Sequence, residues 1–279
     1  MSRKPGALAK CLAVISILLI LLLLSSAGFS QETASGSPAA AIPVPPSISL
    51  SPAVVMARGS YGQSLTQSLT LSNQTSHDFA FEMVANDVVV KNGKREFVAA
   101  GQLPKSLAAT AVFSQPTGLV KAYTSVTVEV RVTVPEGTDI RAMVAIFRGT
   151  ENLRDKNSSV GMTASLGALL TFNLSDHVSM QGMDLKISAP TASSELKVVQ
   201  TLENNGTEPV LPEGVAAFLD SKGKLSAKLT FPAQRLLPGE KLDITADYAG
   251  DLRPGTYKVL CSFEYEGKTL TTESTYSTE

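Results

Sequence analysis

From Ser47 to the C-terminus the chain alternates apolar and polar residues in short runs, with turn residues between one run and the next. A period of two sends successive side chains to opposite faces of a strand, whereas a helix needs apolar residues three and four apart. SISLSPAVVM, SLTQSLTLSN, FAFEMVANDVVV, REFVAA, SVTVEVRVTV and RAMVAIFRGT read as strands of a first unit. In SVTVEVRVTV, Val126, Val128, Val130, Val132 and Val134 share one face, and Thr127, Glu129, Arg131 and Thr133 share the other. One side of that strand is therefore expected to meet water. Asn92-Gly93 between two such runs predicts a tight hairpin, because both central residues of that turn take positive φ. Residues 100–124 are less regular, residues 149–159 predict a solvated loop, and no stretch between 47 and 175 carries a helical stripe.

The longest alternation is VGMTASLGALLTF. Its even positions, Val160, Met162, Ala164, Leu166, Ala168, Leu170 and Phe172, are all apolar. The odd ones, Gly161, Thr163, Ser165, Gly167 and Thr171, are small or polar, with Leu169 the exception. Most strands run about five or six residues, so this one is long for a small sheet, and it is expected to close the first unit. Two uses of its apolar face stay open. It either packs against the opposite sheet, as in any sandwich, or it binds a partner's strand.

A second unit begins near Met180, with runs GMDLKISA, ELKVVQTLEN, VAAFLD, KLSAKLTF, KLDITADY, TYKVLCSFEY and TLTTESTY separated by ENNGTEP, DSKGK, LPGE, RPG and EGK. Strand-like runs at this spacing predict an immunoglobulin-like β-sandwich. The fold class expected is therefore all-β, with two tandem immunoglobulin-like sandwiches at residues 47–176 and 180–279, sharing a grammar but no fixed repeat period.

What precedes the sandwiches concerns targeting. Arg3, Lys4 and Lys10 are followed by the run Cys11 to Leu24, apolar apart from Ser16, and then by the small residues of SSAGFSQ. Basic start, apolar run and small-residue end make a secretory signal over residues 1–30, with an uncleaved anchor as the alternative. Residues 31–46, rich in Ala, Ser and Pro, read as a linker. The expected location is periplasmic or extracellular, with membrane contact only through an uncleaved N-terminal segment. With residues 1–30 removed, Cys261 is the one remaining cysteine, so this exported chain must depend on packing rather than on an internal disulfide. Its setting, VLCSFEY, alternates like a buried strand.

Charge and motifs exclude several functions. The chain has 24 basic and 25 acidic residues, scattered rather than clustered, which is not the footprint of a nucleic-acid binder. Only His77 and His177 could serve as histidine ligands, each beside an aspartate in a turn-like setting, too few to suggest a metal site. Ser165-Leu166-Gly167 is not a nucleophile elbow, because Thr163 stands where that motif has glycine. No phosphate loop or dinucleotide fingerprint occurs, so neither a catalytic residue nor a cofactor is implied. Asn73, Asn157, Asn173 and Asn205 begin Asn-x-Ser/Thr triplets, which matter only in a glycosylating pathway.

ISLSPAVVMARG, QSLTQSLTLSN and PEGTDIRAMVAIFRGTEN, followed by a variable loop and the long alternating strand, come in an order that resembles the N-terminal domain of periplasmic pilus chaperones, the PapD-like proteins. The resemblance spans residues 47–174; the second unit looks like a generic extracytoplasmic immunoglobulin-like domain. It implies that the long strand is lent to an incomplete exported subunit, with Val160, Met162, Ala164, Leu166, Ala168, Leu170 and Phe172 as the partner-binding residues. Main-chain bonds then supply affinity and side-chain pockets supply selection. The family also holds the subunit's terminal carboxylate with an arginine on the first strand and a lysine on the long strand. This chain departs from that pattern. It has Ala53 to Val55 at the first position and no basic residue from Val160 to Phe172, which leaves Arg58, Arg141 and Arg148 as candidate cations. The expected function is that of a non-enzymatic, chaperone-like or assembly-binding protein of the cell envelope. The alternative is a structural or adhesive envelope protein whose sandwiches serve as spacers.

Overall fold

A computed structural model describes residues 47–150, 164–191 and 194–278. The expected signal and linker, Cys11, Asn157, Val160, Met162 and most of the loop at 149–159 lie outside the described residues.

Among the described residues ten strands make the first sandwich: β1 (Ile48–Ser51), β2 (Val54–Arg58), β3 (Ser64–Asn73), β4 (Phe79–Lys91), β5 (Lys94–Ala99), β6 (Val112–Phe113), β7 (Thr117–Val120), β8 (Ser125–Thr133), β9 (Ala142–Gly149) and β10 (Ser165–Asn173). One sheet runs β1-β3-β8-β6, and the facing sheet runs β2-β10-β9-β4-β5, with β7 also pairing to β4. The run SISLSPAVVM, expected as a single strand, is two strands in two sheets. β1 pairs antiparallel with β3, and β2 pairs parallel with β10. Pro52 interrupts the run, and a residue with no N–H cannot carry a ladder through. The irregular stretch 100–124 contains β6, β7 and a short 3-10 turn at Ala108–Thr110.

The periodicity of two fills the core as expected. Val128, Val130, Val132 and Val134 of β8 and its exit are buried against Phe79, Phe81, Met143, Phe147, Leu170 and Phe172. Phe81 and Phe147 pack with ring centroids 5.0 Å apart, a separation typical of favourable aromatic pairs. At the β4–β5 hairpin, Asn92 has φ 51° and Gly93 has φ 77°, as the Asn-Gly pair predicts.

The second sandwich has the seven strands read from the sequence: β11 (Met180–Ser188), β12 (Leu196–Asn204), β13 (Glu213–Leu219), β14 (Leu225–Phe231), β15 (Lys241–Tyr248), β16 (Gly255–Tyr265) and β17 (Lys268–Thr278). A β11-β12-β15 sheet faces a β14-β13-β16-β17 sheet. Cys261 is fully buried, and desolvation pushes its thiol pKa up to about 11, against a smaller opposing hydrogen bond from Thr272. The burial expected from the alternation of VLCSFEY is found, and a thiol held protonated in an apolar core is unreactive.

Both sandwiches turn the same corner in the same way. Asn73 ends β3 and donates through Nδ2 to the carbonyls of His77 and Val120, while its Oδ1 accepts the Thr75 N–H. Asn204 ends β12, donates to the carbonyls of Glu208 and Leu236, and accepts the Gly206 N–H. In each case one buried amide satisfies the backbone groups that the turning chain leaves unpaired.

Between the sandwiches lies a seam. Val88, Ala142 and Val144 on the outer face of the first pack against Leu237 of the second. Ion pairs cross beside them, and each takes its cation from the first sandwich and its anion from the second. Arg141 reaches Glu208 at 3.1 Å, Arg95 reaches Glu240 with a 3.0 Å hydrogen bond, and Arg58 reaches Glu266 at 2.6 Å. The Lys241 N–H also donates to the Gly93 carbonyl at 3.0 Å, so the tip of the β4–β5 hairpin joins the seam by its backbone.

Candidate partner-binding edge and cleft

β10 is bounded differently at its two ends. It pairs antiparallel with β9 from Ser165↔Arg148 to Thr171↔Ala142. Bonds between Ala164 and Gly149 and between Phe172 and Arg141 show that the even residues aim their backbone groups at β9. In an extended strand the odd residues must then aim theirs the other way. The Leu169 N–H does so, donating to the Ala53 carbonyl at 2.9 Å. β2 fills that lane only from Leu169↔Val54 to Asn173↔Arg58. Opposite Ser165 and Gly167 the lane holds no strand among the described residues, which leaves an open edge one ladder step from an occupied one.

Side chains divide at the same place. Ala168, Leu170 and Phe172 are buried in the first core, where the sheets need them. Ala164 and Leu166 are half-buried and pack at the margin of that core. The sequence pattern treats the seven even positions alike, because alternation reports which face a residue is on and says nothing about which edge is covered.

The lane leads to a cleft of about 620 Å³. Val54 and Leu169 form its apolar wall, with Lys94, Arg95, Arg235 and Lys241 around it. Arg235 is 8% exposed, its Nη1 contacts only the Met56 thioether at 3.1 Å, and its Nε has no hydrogen-bond partner among the described residues. Burial lowers its pKa from the ordinary value, Glu266 acts in the opposite direction, and Arg95 adds to the lowering. Because a guanidinium keeps its proton in proteins, the cleft holds a largely buried positive charge, with the Glu240 carboxylate also on its lining and Glu266 acting on it favourably.

Sequence reasoning missed Arg235 and named other cations. Arg58 is engaged by Glu266 and Asp176, Arg141 by Glu208, and Arg148 by Glu82 at 2.6 Å. Ala53 to Val55, where the resemblance places the first of the family's basic pair, is apolar, and Val54 lies opposite Leu169. Arg235 lies in the second sandwich, beyond the span of the resemblance, and no local pattern marks it. His77 and His177 are exposed, and no metal-holding group of three or more His, Cys, Asp or Glu occurs among the described residues. Of the Asn-x-Ser/Thr triplets within those residues, Asn73 and Asn173 are buried and Asn205 is exposed.

The architecture is that of paired immunoglobulin-like sandwiches with a strand that changes sheets near the N-terminus. Among the solved structures this fold resembles are fimbrial chaperones and a PapD-like domain of human CEP192. The class 5 fimbriae chaperone CfaA is 12% identical, with 82% of this chain and 99% of that chain covered and a TM-score of 0.43. The chaperone–tip adhesion subunit complex CsuC–CsuE of Acinetobacter baumannii matches at 11% identity, with 81% and 97% covered and a TM-score of 0.42. The E. coli chaperone DraB matches at 13% identity, with 84% and 98% covered and a TM-score of 0.39. At such identities no residue role passes from them to this chain. No family model and no curated protein matches the sequence.

Proposed function

We propose that this chain is an exported, non-enzymatic, chaperone-like or assembly-binding protein that takes a partner's strand into the open lane beside β10. The observation that carries this reading is the half-filled lane. β2 occupies it from Leu169 onward, and among the described residues no strand pairs with Ser165 and Gly167 on that side, beside the half-buried Ala164 and Leu166. An incoming strand would gain main-chain bonds from the odd residues and apolar contact from the even ones. If it runs parallel to β10, as β2 does, its C-terminal end arrives at Val54 and Leu169, where the cleft begins. A carboxylate there would meet the guanidinium of Arg235, whose Nε has no hydrogen-bond partner among the described residues. Val160 and Met162 would continue the apolar face upstream, and an N-terminal signal over residues 1–30 would deliver the protein to a periplasmic or extracellular partner, an exported envelope subunit.

The rigid seam of Arg–Glu pairs also suits a spacer, so a structural or adhesive role is the competing reading. Leu166→Asp separates the two. With strand binding, the variant unfolds within about 1 kcal/mol of the parent, as expected for a half-buried site, but no longer co-purifies with an exported subunit that photocrosslinks to position 165 of the parent. A parent protein that crosslinks to nothing at position 165, while its sandwiches stay folded, leaves the spacer reading.

A further inference from the structure

We infer that Met56 is an oxidation site whose sulfoxide is held by Arg235: oxygen transfer from a peroxide to this sulfur gives the guanidinium a stronger acceptor than the thioether it contacts. Met56 is 45% exposed on β2, and its Sδ lies 3.1 Å from Arg235 Nη1. Arg235 is buried, and its Nε has no hydrogen-bond partner among the described residues. An oxidant-accessible sulfur therefore faces a cation with a donor to spare. A thioether accepts weakly, whereas an S–O oxygen is polar and exposed to the donor, and a hydrogen bond from an ionised group is roughly twice as strong as a neutral one. Met183 on β11 supplies the contrast. It is 44% exposed, Gln200 reaches its carbonyl oxygen, and no hydrogen bond to its sulfur occurs among the described residues. Exposure makes both sulfurs reactive, but the cation beside the product belongs to Met56. Met83, Met143 and Met180 are buried.

With hydrogen peroxide as the oxidant the step balances. A sulfur lone pair attacks one peroxide oxygen, the S–O bond forms as the O–O bond breaks, and the departing hydroxide takes the remaining peroxide proton and leaves as water. Sulfur loses two electrons and the peroxide gains them. A thioether sulfur has two lone pairs, and Arg235 Nη1 occupies one of them, so the oxidant is directed to the other. Oxygen is then added in one configuration at sulfur. The three rotatable bonds of a methionine side chain let that oxygen swing to Nη1 afterwards. This chemistry stands without the strand-binding reading, although a carboxylate arriving in the cleft would compete with the new oxygen for the same guanidinium.

The test treats the full chain with hydrogen peroxide for a time that leaves Met83, Met143 and Met180 unoxidised, then digests it. The two epimer-specific sulfoxide reductases assign the configuration at each sulfur in the peptides. Met56 should carry one epimer in an excess of at least about threefold, the bias that one hydrogen bond of modest net strength can set. Met183 in the same sample should give nearly equal epimers, as should Met56 in Arg235→Leu. Capture of the oxygen is read separately by urea unfolding in a Met183→Leu background. Oxidation should leave the midpoint unchanged or raise it where Arg235 is present, and lower it in Arg235→Leu. Equal epimers at Met56 of the parent, or the same midpoint shift with and without Arg235, overturn the inference. If Arg235→Leu shows no cooperative unfolding transition, the parent decides alone, and an epimer ratio at Met56 equal to that at Met183 overturns it.

Discussion

Glu208→Ala should be among the most destabilising single substitutions at the seam. The Glu208 carboxylate is fully buried and receives both oxygens' worth of donors: Arg141 Nε at 3.1 Å to each oxygen, the Leu174 N–H at 2.9 Å and the Ser175 hydroxyl at 2.9 Å. Removing it strands Arg141, whose side chain is 10% exposed and whose other bond runs to the Thr138 carbonyl. Breaking one side of a buried pair costs about 3–5 kcal/mol, since the remaining charge stays desolvated. Replacing both partners should cost much less, so Arg141→Met with Glu208→Leu is expected within about 2 kcal/mol of the parent. Urea unfolding of the parent, both singles and the double gives the coupling directly. A Glu208→Ala cost below about 1 kcal/mol, or a coupling near zero, would show that the pair does not hold the sandwiches together and refute the reasoning. Leu174 and Ser175 immediately follow β10, so the same carboxylate also fixes where that strand leaves the sheet.

Arg235→Met should leave stability unchanged or raise it by about 1 kcal/mol, because it removes a largely buried charge whose hydrogen-bond contact is the Met56 thioether and whose Nε has no partner among the described residues; a melting temperature several degrees lower would mean that Glu266 and the surrounding groups compensate the guanidinium. Asn73→Ala and Asn204→Ala should each cost about 2–3 kcal/mol, since each strands buried carbonyls at an equivalent corner, and thermal unfolding that finds one of them silent would break the equivalence. The folded Cys261 thiol holds its proton to about pH 11, whereas an exposed thiol loses it near 9.0. Folded chains then bind more protons than unfolded ones between those values, and stability should fall as pH rises through that window. Cys261→Ala should flatten that slope in denaturant titrations from pH 8 to 11, and a thiol reagent should label the folded parent at pH 8 far more slowly than the unfolded chain.

Strand patterning was legible because a period of two is a local property. SVTVEVRVTV carries its buried valines in its own letters, and Asn92-Gly93 announces its turn. The fate of SISLSPAVVM was less legible. Pro52 signals an interruption, but the sheet that Val54 joins depends on a partner more than a hundred residues away. The two corners could have been found, since LSNQT and LENNG each place a leucine two residues before the asparagine that caps the turn. Searching for a fixed repeat period hides a motif that recurs once at each corner.

The seam was the least legible part, and the reason is chemical as well as topological. Its ion pairs join residues 67, 145 and 208 positions apart, and a lone Arg or Glu in a loop looks like any other surface charge. What distinguishes them is arrangement: the first sandwich contributes Arg58, Arg95 and Arg141, and the second contributes Glu208, Glu240 and Glu266. Arg235 breaks that division, a cation on the anionic side with no carboxylate in hydrogen-bond reach among the described residues. If the seam existed only to hold two spacers together, this residue would be a cost without return, and an apolar side chain would serve better. On the strand-binding reading proposed above, its position at the end of the half-filled lane gives it a use: the carboxylate of an incoming strand would face it, so Arg235→Met should weaken partner binding while leaving stability unchanged or slightly raised.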